Sequence, residues 1–142
     1  MRATLAVDGY GESAGARLNA QADAQSRGPF MFQTRSLTGS ADALVAHLDD
    51  EIVRGSASAS LEHRDELSIG DARMLLRTYE RYSMTGSNRV TLSASILAVG
   101  DRIEVALTTS GGSEAIFFKI NTFGEEAFMD KGLRALASFR GR

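Results

Sequence analysis

The stretch from Asn88 to Thr109, NRVTLSASILAVGDRIEVALTT, decides the fold. Val90, Leu92, Ala94, Ile96 and Ala98 occupy alternate positions, with Arg89, Thr91, Ser93 and Ser95 between them. Side chains alternate across a pleated strand, so the pattern describes a strand with one buried and one open face. Ile103, Val105 and Leu107 repeat it against Arg102, Glu104 and Ala106. Gly100-Asp101 between the two runs is a two-residue link with glycine first, the composition of a type II′ turn. The two runs are therefore an antiparallel hairpin.

Working outward, Arg73 to Ser83 alternates imperfectly and supplies a further strand. One set holds Met74, Leu76, Thr78, Glu80 and Tyr82, the other Leu75, Arg77, Tyr79 and Arg81, and neither is wholly apolar. Ala57, Ala59 and Leu61 form a weak strand before Arg64-Asp65-Glu66, read as a charged turn, and the Gly70-Asp71 break. Phe30 to Leu37 reads as a strand, and Ser40 as the N-cap of a helix with Ala41, Leu44, Val45, Leu48 and Ile52 on one face. Gly55 closes that helix as a C′ residue. Ala115 to Asn121 reads as a last strand. Thr122 and Glu125 have the spacing of a capping box for a final helix carrying Phe128, Leu133, Leu136 and Phe139. The expected fold is α+β: an antiparallel sheet of five to six strands, in the order strand, helix, strands, helix, with both helices on one face.

The chain has 142 residues and a net charge of −2. One domain is expected, long enough to bury about two-thirds of its unfolded surface. Residues 1–28 hold few large apolar side chains and read as a flexible N-terminal arm, or as an edge strand over Arg2 to Val7; residues 29–142 form the domain. The near balance of charge argues against nucleic acid as a partner. No cysteine is present, which fits a reducing compartment, and no run is apolar enough to cross a membrane. The opening MRATLAVDGYGE lacks the apolar core of a secretory signal, so a cytoplasmic location is expected.

In a meander, the turn at Met84 to Ser87 and the loop Ser110-Gly111-Gly112-Ser113 fall at one end of the sheet. Arg81, Asn88, Arg89, Ser110, Gly111, Gly112 and Ser113 then form a candidate ligand site, with residue types suited to phosphate or carboxylate. The same residues also suit ordinary turns and a solvated cross-strand pair. Glu80 and Tyr82 line a cavity if Met74 and Leu76 point inward, and burial would then raise the carboxyl pKa. Lys119 lies too far along its expected strand to join them. His47 and His63 have no partner at metal-ligand spacing, so no metal or cofactor is expected. The runs Asp49-Asp50-Glu51 and Glu125-Glu126 read as solvated helix charge, the latter favourable at a helix N-terminus. No nucleophile elbow marks a catalytic serine.

Phe117 and Phe118, as neighbours in a strand, would point to opposite faces. Leu75, Tyr79, Leu97, Val99 and Phe117 would then share the helix-free face, with more apolar surface than solvent favours. A homo-oligomer through that face is one expectation.

Tyr79-Glu80-Arg81-Tyr82-Ser83, Asn88-Arg89-Val90, Thr109 to Ser113 and Phe117-Phe118-Lys119 together resemble a family of small bacterial proteins with a domain of unknown function, over about residues 30 to 140. The resemblance implies a bacterial, cytoplasmic protein and carries no activity. By element order the chain also resembles a reduced helix-grip domain, in which a curved sheet wraps a C-terminal helix around an apolar ligand; the final helix is short for that class. Two functions compete. One is a non-catalytic domain that binds a small ligand or a protein partner, with Ala94 and Ala98 leaving room above a central strand. The other is a small enzyme or anion-binding protein using the Ser110 to Ser113 loop with Arg81 and Arg89.

Overall fold

A computed structural model describes residues 31–83, 88–111 and 118–141, the side chains of 83, 88 and 118–123 excepted. Strands β1 (Met31–Thr38), β2 (Ala59–Ile69), β3 (Ala72–Ser83), β4 (Asn88–Val99) and β5 (Arg102–Gly111) form one antiparallel sheet in the order β1-β5-β4-β3-β2. Helix α1 (Ala41–Asp49) runs on into a π-helical turn, Asp50–Arg54, and helix α2 (Phe118–Ser138) ends the domain. The α+β class and the element order are those the sequence dictates.

The β4–β5 hairpin pairs Val99 with Arg102 around a Gly100 at φ 60°. Only glycine takes that conformation without a Cβ penalty. Val90, Leu92, Ala94, Ile96 and Ala98 are buried together with Ile103, Val105 and Leu107. Ala94 and Ala98 are thus taken up by the core. Ser40 caps α1 by accepting the Ala43 N–H at 3.2 Å, and Leu44, Leu48 and Ile52 enter the same core without exposed surface. On α2, Phe128, Met129, Ala135 and Leu136 cover the sheet from above. At Gly132 the helix packs tightly on the sheet, since an added Cβ would lie 3.0 Å from Leu107 and 3.1 Å from Leu92.

Register assigns the two faces of the sheet. Arg73, Leu75, Arg77, Tyr79 and Arg81 pair with the buried residues of β4, so they face the helices. Arg73 uses this position to clip α1 to the β2–β3 hairpin: it donates twice to Asp42 at 2.9 Å and once to Glu66 at 2.7 Å. Hydrogen bonding to this guanidinium holds both carboxyls below their usual range.

Five expectations are corrected. Arg64-Asp65-Glu66 is no turn: β2 runs unbroken through it to Ile69, because an edge strand tolerates charge and is bulged between Leu61 and His63. Residues 118–121 open α2 rather than close a strand, and Thr122 lies inside the helix, so its spacing from Glu125 is no capping box. A short apolar run is ambiguous between helix and strand, and here the chain must cross from the end of β5 to the helix layer. Gly55 has φ −78° and is not a left-handed C′ residue. Asp49 is not mere solvated charge, since it accepts the Tyr79 hydroxyl at 2.7 Å. The expected arm, the strand start at Phe30 and residues 115–117 lie outside the described residues. Among the described residues, no helix is long and apolar enough to cross a membrane.

Candidate functional site

The antiparallel register brings the ends of β3, β4 and β5 together, as the meander requires, and then divides the candidate residues between two faces. Arg81 pairs with Val90, and Val90 with Gly111, on the helix side. Arg89 pairs with Tyr82, and Glu80 with Thr91 and through it Ser110, on the open side. The parity is unavoidable: residues one apart in a strand face opposite ways. Gly112 and Ser113 lie outside the described residues, and Asn88 is placed only by its backbone, opposite Ser83. Arg81 and Arg89 therefore share an end of the sheet but direct their guanidiniums to different partners, Gly124 and Phe128 for one and Glu80 for the other.

On the helix side, the Arg81 guanidinium lies 4.9 Å from the Phe128 ring centre and donates to the Gly124 carbonyl at 3.1 Å. Both contacts tie β3 to α2. Desolvation lowers the arginine pKa, an effect of enclosure. Nearby, Glu125 is not the solvated helix charge expected from the sequence: it is buried and accepts the Gly111 N–H, and burial raises its pKa against that hydrogen bond. Gly111 thus does hold an anionic group by its backbone, but the group is the protein's own.

On the open side, Ser58, Ser60, Glu62, Glu80, Arg81, Tyr82 and Arg89 line a cleft of about 350 Å³. Arg89 donates to Glu80 at 3.0 Å, Ser58 donates to the Tyr82 carbonyl at 3.1 Å, and the Ser60 hydroxyl donates to Glu62. Glu80 and Tyr82 do line a hollow, though not an interior one: Leu75 and Tyr79 took the core, leaving Tyr82 45 % exposed. Arg81 borders this cleft, but its guanidinium is held by Phe128 and the Gly124 carbonyl, so the Glu62 and Glu80 carboxylates face the Arg89 guanidinium alone. That balance favours a hydroxyl-rich or cationic ligand over phosphate.

A larger hollow, about 530 Å³, opens at the opposite end of the sheet between Gly39, Asp42, Asp71, Arg73 and Asp101. Arg73, which would be its anion anchor, is already neutralised by Asp42 and Glu66. Among the described residues, no group of His, Asp and Glu is arranged to hold a metal ion. His47 Nε2 instead lies 2.9 Å from both the Ala135 carbonyl and the Ser138 hydroxyl, joining α1 to α2.

The open face itself is the most distinctive surface. Leu97 and Val99 are 42 % and 50 % exposed there, as expected, but Leu75 and Tyr79 are not with them: both face the helices, and the Tyr79 ring is wholly buried, its hydroxyl donating to Asp49. Phe117 lies outside the described residues. Two residues that sequence reading missed complete the patch, Leu67 at 56 % and Ile69 at 86 % exposure. Their alternation with Glu66 and Ser68 was the available signal, hidden by reading Arg64-Asp65-Glu66 as a turn.

The chain belongs to a family of unknown function, DUF6054, whose model matches residues 32–140. No curated relative matches it.

Proposed function

We propose that this domain is a non-catalytic binding module whose helix-free sheet face is the binding surface. One observation carries the reading: Leu67, Ile69, Tyr82, Leu97 and Val99, the exposed large apolar side chains of the described residues, all lie on that face. Scattered exposed apolar residues are ordinary, but a contiguous patch of a few hundred Å² marks a partner surface. The buried titratable groups support a structural role for the other face, since Tyr79 and Glu125 are each consumed by contacts between sheet and helices. The cysteine-free composition supports a reducing, cytoplasmic setting, and the resemblance of its motifs to small bacterial proteins supports a bacterial one.

A photoreactive phenylalanine at Ser95, in the middle of the open face, tests the reading against one at Ala46 on the exposed side of α1. Irradiation of intact cells making the full chain is expected to give protein adducts from position 95 and none from position 46. Equal labelling from both, or none from 95, overturns it.

The cleft at the other end of the same face supports a second reading, a small-ligand site. Its observation is the convergence of Glu80, Arg89, Ser60 and Tyr82 from three strands. A polyol or an amine is expected to raise the melting temperature through linkage, with the shift lost in Glu80→Ala. Inorganic phosphate giving the larger, Arg89-dependent shift would instead restore the anion-binding or enzymatic alternative.

A further inference from the structure

The apolar end of the open face has an internal symmetry. Read across the sheet, one row is Ile69, Ala72 and Val99, the next Leu67, Met74 and Leu97, and the third Asp65, Leu76 and Ser95. β3 runs down the middle, and apolar residues of similar size stand on either side of it. Resting on the reading of this face as the binding surface, we propose that its partner is a second copy of the chain, docked face to face about a two-fold axis running along β3.

That axis exchanges the positions of β2 and β4 and keeps each row in place. Ile69 then meets the partner's Val99, Leu67 the partner's Leu97, and Met74 and Leu76 each meet their own symmetry mates. An isologous contact requires such self-complementarity. An axis between β3 and β4 fails this requirement, because it sets Leu67 and Ile69 against the charged Glu104 and Arg102 of β5. Aligned sheets cross at about 30°, which leaves the central pairs in register and turns the outer ones by a few ångströms.

Area and charge agree with this partner. Three strands about 4.8 Å apart and three residue pairs about 6.7 Å apart give a footprint of roughly 14 by 20 Å. Counted on both copies that is about 560 Å² in projection, which side-chain relief raises toward, but not beyond, the roughly 1,000 Å² lower limit for a specific interface. The dimer is accordingly a reversible one. Within the footprint the single charge is Asp65, at the rim, and the axis brings it opposite the partner's Ser95, whose hydroxyl can donate to it. No like charges meet.

Sedimentation velocity of the full chain over a range of concentrations tests the proposal. A reversible monomer–dimer equilibrium is expected, with the dissociation constant raised about tenfold or more by Leu97→Asp. Ser95→Asp is expected to do the same while leaving the apolar surface intact, because it faces the partner's Asp65. Adding Asp65→Lys to Ser95→Asp is expected to restore the dimer, since each new aspartate then meets a lysine of the other copy. Ala46→Asp on α1 leaves the equilibrium unchanged, and circular dichroism confirms that each variant is folded. A monomer at every concentration, a dimer indifferent to Leu97→Asp, or a failed rescue overturns the proposal. If the chain is monomeric yet cross-links from position 95 to a protein of different mass, the second copy is refuted while the open-face reading stands.

Discussion

Tyr79 donates its hydroxyl to Asp49 Oδ1 at 2.7 Å, across the boundary between the sheet and the last residue of α1. The ring is wholly buried, and the same carboxylate is 3.5 Å from Arg77 Nε. Burial first, then the bond to a carboxylate and its charge, push the phenol pKa well above the ordinary tyrosine range. Tyr79→Phe is expected to cost about 1–2 kcal/mol at neutral pH by leaving Asp49 short of a donor. A group whose pKa is raised on folding loses its contribution as pH climbs past its unfolded value. Above about pH 10 the wild type should therefore lose stability by up to about 1.4 kcal/mol per pH unit from this residue, and the phenylalanine variant should lose less. Urea midpoints between neutral and alkaline pH measure both effects; parallel curves would remove Tyr79 as their source.

Glu125 gives the opposite end of the pH scale. Burial raises its pKa while the Gly111 N–H opposes the shift. A carboxyl raised in this way contributes fully below its unfolded pKa and loses that contribution as pH rises through the folded value. Glu125→Gln keeps an acceptor for Gly111 and never ionises. Its melting temperature should match the wild type near pH 4 and exceed it at neutral pH. A variant less stable at both pH values would mean that the charge itself is needed.

The residues that were legible in the sequence are those whose neighbours in the chain settle their environment. Val90 to Ala98 alternate strictly, Gly100 must take a positive φ, and Leu44, Leu48 and Ile52 share a helical stripe with Ser40 to start it. β3 was not legible in this way, because Met74 and Leu76 on one face balance Leu75 and Tyr79 on the other. What breaks the tie is distant: Asp49 in α1 receives Tyr79, and Gly124 and Phe128 in α2 receive Arg81. The same distance divided the candidate site, since Arg81 and Arg89 share an end of the sheet but are claimed by different layers. β2 was hidden by its charges, which an edge strand accepts and an inner strand does not.

Gly39 is a position where backbone approaches backbone. Its φ is 145°, and a Cβ there would stand 2.6 Å from the Cα of Gly141. Its own N–H donates to the Asp101 carbonyl at 2.8 Å, so it cannot retreat without breaking the link between β1 and the β4–β5 turn. Gly39→Ala is expected to destabilise by about 1–3 kcal/mol and to release the last residues from the end of β1. Carboxypeptidase digestion of the folded variant, faster than of the wild type, would show the release. Unchanged digestion together with unchanged stability would contradict this packing.

Thr109 offers a test in the stabilising direction. It is fully buried on the helix side of β5, in register with Leu92 and Met31, and its hydroxyl has no partner among the described residues. A buried hydroxyl without a partner costs about 1–3 kcal/mol on mutational scales, whereas a methyl of the same shape costs nothing to desolvate. Valine also keeps the β-branched shape that a strand favours. Thr109→Val is therefore expected to raise the melting temperature and to leave the unfolding cooperativity unchanged, as measured by calorimetry. A loss of stability would instead mean that the hydroxyl is bonded in solution, and Thr109→Ser, which keeps the hydroxyl and removes the methyl, would then be the less damaging of the two changes.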